Sequence, residues 1–212
     1  MRAKRLVVLV LLFFVLGCSA VAQDFSNSSL VNQLSVTSGL VFISTQTVPS
    51  SGYRIHFGNA SGSVGVDYGR QLVSRRFLGL YAELPVAFVI KTTLNYEPGG
   101  VPKDFNALFL TPSVRVNFFS GDSVTPWVSA GGGYGRFMES KTLYYYGQNP
   151  GPTGTNSGTV QFGGGLDVWF WHRWGARVEV RDFYSGVPDL DVSTGRSRQH
   201  NYYVGAGVAH RF

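Results

Sequence analysis

The chain has 212 residues, 44% hydrophobic and 14% charged, with 27 glycines, one cysteine and a formal charge of +6. That length suits one domain, and a single cysteine excludes a disulfide framework within the chain. Without residues 1–22, 15 Lys+Arg face 12 Asp+Glu, a charge of +3, which removes the main argument for nucleic-acid binding.

Arg2, Lys4 and Arg5 precede an apolar run, Leu6 to Leu16, too short to span a bilayer as a helix. Ala20-Val21-Ala22 then has the small-x-small form of a cleavage site before Gln23, so residues 1–22 read as a secretory signal peptide. An alternative takes Val15-Leu16-Gly17 as a lipoprotein signal before Cys18, with Leu16 bulkier than usual there. Cleavage after Ala22 leaves a mature chain with no cysteine. Residues 23–33 are a polar lead-in. No apolar run of about 18 residues follows Gln23, so no membrane helix is expected, although strands cross a membrane when they close as a barrel.

Alternating runs predict eight strands, at about 34–45, 63–73, 77–91, 106–119, 126–140, 159–171, 174–186 and 200–212, which together make one barrel over 34–212. The connections alternate in length. Those at 74–76, 120–125 and 172–173 are tight, whereas 46–62, 92–105, 141–158 and 187–199 are long and rich in Pro and Gly. An up-and-down barrel places successive connections at opposite rims, so one rim is trimmed and the other elaborated. Transmembrane barrels show this asymmetry, with short periplasmic turns and long outer loops.

Parity divides the faces. Even positions carry Leu80, Leu84, Val86 and Phe88, then Leu110, Val114 and Val116, then Phe162, Leu166 and Val168. Odd positions carry Thr111, Ser113, Asn117 and Gln161, with glycines at 131, 133, 135, 163, 165, 205 and 207. A soluble carrier would put the apolar face inside. Here the polar face is small and suits a narrow lumen, while the apolar face runs without Lys or Glu and would be sticky in water. The odd positions also hold four acids, Asp67, Glu83, Asp167 and Glu179, and four bases, Arg115, Arg177, Arg181 and Arg211. Unpaired buried charge is costly, so these eight are expected to form an interior ion-pair network. Trp169, Trp171 and Trp174 at a tight turn, and Tyr144, Tyr145 and Tyr146 in a long loop, are expected as interfacial girdles.

At this point the chain resembles the small outer-membrane β-barrels of the eight-stranded OmpA and OmpX type, over about 34–212. The resemblance implies an all-β, antiparallel up-and-down transmembrane barrel in the outer membrane, monomeric, surrounded by lipid and lipopolysaccharide. It also implies recognition by the barrel-assembly machinery through a terminal signal that Gly207 and Phe212 match, while Gly205 and His210 depart from it.

Catalysis is weakly signalled. His56, His172, His200 and His210 are scattered, and the lipid A deacylase pattern is absent because Phe57-Gly58-Asn59 follows His56. Gly131-Gly132-Gly133-Tyr134-Gly135 lacks the Lys-Ser/Thr of a phosphate loop. Asp189 and Asp191 alone fall short of a calcium cage, and Arg196 and Arg198 are positioned to meet acidic headgroups. No cofactor or metal is expected. The leading expectation is a non-enzymatic barrel with a structural, surface-interaction or adhesion role. The alternatives are a narrow passive channel and, behind it, a lipid A-modifying enzyme.

Overall fold

The computed structural model describes residues 32–212 except 76, 121, 146 and 172. The predicted signal peptide with Cys18, nearly all of the lead-in, Tyr146 and His172 lie outside the described residues. Eleven strands follow in order: β1 (Asn32–Ile43), β2 (Gln46–Thr47), β3 (Arg54–Ile55), β4 (Ser61–Ser74), β5 (Leu78–Thr93), β6 (Asp104–Leu110), β7 (Ser113–Phe118), β8 (Val124–Glu139), β9 (Thr155–Trp169), β10 (Trp174–Gly186) and β11 (Arg198–Arg211). β2 and β3 form a separate two-stranded ribbon inside the first long connection. The rest make one antiparallel sheet, with β6 and β7 sharing a lane, so eight lanes surround the lumen. β1 closes it by pairing β4 on one side and β11 on the other. The seam runs from Gln33↔Arg211 to Ile43↔Asn201, and Asn32 and Phe212 exchange backbone bonds of 3.0 and 2.9 Å below it. Closure leaves no long edge to aggregate.

The barrel strands alternate as parity requires, with odd residues inward, whereas the ribbon strand β2 buries Gln46 at an even position. Three irregularities modify the predicted strands, the first a register shift between Gln71 and Val73 where β4 pairs with β5. A bulge between Val89 and Thr92 shifts the register of β5, so Thr92, Leu94 and Tyr96 turn inward at even positions. The fourth strand, predicted as continuous over 106–119, is interrupted at Thr111-Pro112 because proline has no N–H for the ladder. Pro112 O still accepts Gly132 N at 3.2 Å, which holds the two halves in line. The first strand is displaced to start and end two residues earlier than its predicted 34–45.

Candidate functional site

The lumen is the site that this fold builds, and its half nearer the tight turns is polar. Arg177, on β10, donates from Nε and Nη2 to the two oxygens of Asp167 at 2.7 and 2.9 Å, and from Nη1 to Asp67 at 2.7 Å. One turn of the pleat higher, Arg181 reaches Glu179 and Glu83 at 3.0 Å each and Asp67 at 3.2 Å. Arg115, from β7, lies 3.5 Å from Glu83 and 3.6 Å from Asp67 and donates to Gln33 at 2.7 Å. Seven of the eight predicted charges therefore meet, contributed by β4, β5, β7, β9 and β10. Every one of these charges has an opposite charge within 4 Å, and neutral groups such as Ser35, Thr37 and Ser129 bond some of the remaining sites, while Asp67 Oδ1, Glu83 Oε2 and Arg115 Nε are buried without a hydrogen-bond partner.

Arg211 is the exception. It sits at the tight-turn mouth with Nε and Nη2 unbonded, its guanidinium carbon 3.5 Å from the centre of the Trp169 ring. The network proper thus contains four acids and three arginines, and Arg211 supplies the fourth positive charge from the layer below without touching a carboxylate. Trp169 accordingly leaves the predicted girdle: its odd position in β9 turns the indole inward, 8% exposed.

The charged cluster is organised around Trp127, a residue the charge pattern does not single out. Arg115, Arg177 and Arg181 lie 5.6, 4.9 and 5.0 Å from its ring centre, and its Nε1 donates to Asp167 at 3.2 Å. Stacked guanidinium groups gain from the ring quadrupole, most where water is excluded. Room for the indole comes from Gly165, where a Cβ would collide with it, and the Tyr203 ring occupies the space that a Cβ at Gly205 would need.

Nearer the long loops the lumen is apolar, which departs from the expectation of a wholly polar interior. Phe57, Phe105, Phe137, Phe109 and Phe183 form a chain of ring contacts with centroid separations of 6.2, 5.6, 6.0 and 4.8 Å. Four of these rings come from odd strand positions, while Phe57, Ile55, Leu94, Val101 and Leu190 are brought in by the long connections and are fully or almost fully buried. The loops therefore fold into the mouth as a plug. Some polar groups within this half bond one another, as in the run Gln46–Gln199–Asn201 with bonds of 2.9 Å, although Gln46 Oε1 is buried without a partner.

The outward face is apolar across the strands, with Val178 and Val180 half exposed. Trp171 and Trp174 are exposed at the tight-turn rim beside Phe77, Phe119 and Phe170. At the other rim Tyr144 packs against the plug and Tyr145 projects outward from a φ of 76°. The aromatics at strand level there are instead Tyr134, Tyr184 and Tyr202, which even parity places outward. Gly207 packs against the β1 backbone, and exposed Phe212 stacks 5.8 Å from His210. Arg198 donates to Gly158 O at 2.7 Å.

Among the described residues, His56 and His200 make incomplete catalytic sets. His200 Nδ1 pairs with Asp182 at 2.6 Å on the outer face, between the rings of Tyr184 and Tyr202, with no hydroxyl bonded to it among the described residues. His56 Nδ1 meets Thr45 Oγ1 at 3.3 Å without an orienting acid. A hydrolytic triad needs nucleophile, base and acid in one line.

These features define a class: a small, closed, side-chain-filled β-barrel with an apolar exterior. No protein-family model matches the chain, and no curated protein matches it in sequence. Among solved structures, the outer membrane protein OprG of Pseudomonas aeruginosa is similar at TM-score 0.51 and 10% identity, over 89% of this chain and 99% of that one. Neisserial surface protein A gives 0.50 and 12%, over 85% and 97%. The outer membrane protein AlkL, determined in DMPC bilayers, gives 0.50 and 13%, over 89% and 93%. The chain has the fold of the eight-stranded outer-membrane barrels.

Proposed function

We propose that this chain is a non-enzymatic outer-membrane barrel that presents a fixed loop cap at the cell surface, with a structural or surface-interaction role. The observation that carries this reading is the filled lumen: an ion-paired layer bound to Trp127 lies beneath a plug of phenylalanine rings. Eight strands leave an interior that side chains just fill. A passive channel would need a continuous wet path, and the plug replaces it with apolar packing. The apolar outer wall suits a hydrocarbon environment, since such an area facing water would favour aggregation. Tight turns face the periplasm in this reading, and Arg196 and Arg198 at the outer rim meet acidic lipopolysaccharide headgroups. Gly207 and Phe212 on the closing strand serve recognition by the assembly machinery, and the barrel works as a monomer.

Planar-bilayer recording of the purified, refolded protein tests the reading. The expected record is a flat baseline, and reproducible unitary conductance would overturn the closed lumen.

A further inference from the structure

The apolar outer wall is not even. On β1, β9 and β11 the outward positions Ser38, Gly164 and Ala206 are small, where their neighbours are Val, Leu or Phe. The register gathers them into one patch, because Ser38 pairs with Ala206, Ala206 with Val178, and Val180 with Gly164. The side-chain volume missing there leaves an open groove of about 450 Å³, walled by Val178, Val180 and Val204. These valines are about half exposed, and the first two occupy the middle of β10, between Trp174 at the tight-turn rim and Tyr184 toward the loops.

Above the groove the same two strands change chemistry. Up the outward column of β10 and β11, the pair Val180↔Val204 is followed by Asp182↔Tyr202, Tyr184↔His200 and Gly186↔Arg198. The His200 side chain is 48% exposed and paired with Asp182, and the Arg198 guanidinium lies 6.0 Å from the centre of the Tyr184 ring. Arg198 and Arg196 are both exposed at the loop rim. From Ala206 to Arg198 the column covers roughly 27 Å of strand. Along it an apolar groove gives way to aromatic rings and then to cations, which is the order of acyl chain, interface and anionic head in a membrane lipid.

We propose that this column binds one molecule of lipopolysaccharide through its lipid anchor, with one acyl chain in the groove and a phosphate against Arg198. The assignment rests on the proposed orientation, which puts the long-loop rim in the outer leaflet. At the depth of Val178 and Val180 a water-soluble partner cannot reach the wall, so the groove faces either a lipid chain or another barrel. A symmetric pair of barrels sets the same patch against itself, and groove on groove leaves a void instead of packing. The cations at the rim then select an anionic head over a neutral one.

Native mass spectrometry of the refolded full chain, released from maltoside micelles doped with lipid A or with phosphatidylglycerol, tests the site. The expected result is one lipid A retained per chain, with an equal concentration of phosphatidylglycerol failing to displace it. Ala206→Phe, which fills the groove, and Arg198→Ala, which removes the phosphate contact, should each lower the retained fraction about tenfold. Val114→Phe, exposed on the lane opposite β11, should leave it unchanged. If Ala206→Phe fails to fold, Ser38→Leu fills the same groove from β1. Absence of retained lipid A, an equal loss in Val114→Phe, or displacement by phosphatidylglycerol would overturn the proposal, as would a dimer of the parent that Ala206→Phe dissolves. A flat conductance record alongside any of these would leave the closed-barrel reading standing.

Discussion

Trp127 carries no charge, yet it is the residue on which three arginines lean. Its role explains why inward charges are tolerated: each guanidinium has a carboxylate at its edge and a ring at its face. Arg177 makes the shortest of these ion pairs, 2.7 Å to both Asp167 and Asp67. Arg177→Ala should cost about 3–5 kcal/mol, because two buried carboxylates lose their nearest positive partner. Arg211→Gln should cost about 1 kcal/mol or less, since that guanidinium touches no carboxylate and its buried Nε and Nη2 have no hydrogen bond to lose. Urea unfolding of both variants in the same lipid checks the order, and equal losses would mean that Arg211 belongs to the network. Seven of the charged partners were legible from parity because strands alternate strictly. Trp169 was equally legible as inward, and its neighbours Trp171 and Trp174 masked that. The odd position of Trp127 likewise marked it as inward, but its arginine partners were not legible, because indole–guanidinium packing depends on which strands face one another across the lumen.

At the scale of elements, β5 and β10 state the outward rule most clearly. Leu84 of β5 and Val178 of β10 point away from the lumen, each beside an inward acid, Glu83 and Glu179. Leu84→Arg or Val178→Arg should cost about 2–4 kcal/mol near mid-bilayer, because the new charge faces hydrocarbon. Glu83→Leu should destabilise for another reason, leaving Arg181 and Arg115 short of a partner. The folded fraction read from heat-dependent gel mobility, with and without urea, separates these variants from the parent, and normal folding of both arginine variants would invert the faces. The strand lanes were readable because period-two alternation persists over a dozen or more residues. The plug was not, since half of it comes from connections whose side chains have no period. A partial signal existed in the odd positions of β6, where Phe105 and Phe109 replace the polar residues that parity shows elsewhere. The hydrogen bond from the backbone N–H of Asp189 to Glu139 Oε1 was likewise hidden, because the two residues are 50 positions apart and come together only when the last long connection folds into the mouth.

The whole molecule is asymmetric along the barrel axis, and the proposed outer-membrane role gives that asymmetry a direction in the cell. At one rim the connections are tight and carry exposed Phe77, Phe119 and Trp171; at the other they are long and folded over the plug. Strands of 12 to 16 residues in the uninterrupted lanes exceed the roughly 9–11 needed to cross a bilayer at the usual tilt, so in the proposed setting the surplus would lift the loop cap clear of the membrane. Single cysteines at Glu97 and Thr153, exposed in two long connections, and at Asp122, exposed in a tight turn, report the direction. On intact cells a membrane-impermeant maleimide should modify Glu97→Cys and Thr153→Cys, and should reach Asp122→Cys only after the outer membrane is permeabilised. The unsubstituted chain controls for Cys18. Because the lumen is filled along its length, reagent should not leak through the barrel to the far rim. Modification of Asp122→Cys on intact cells with protection of the other two would reverse the topology, and equal modification of all three would argue against insertion in the outer membrane.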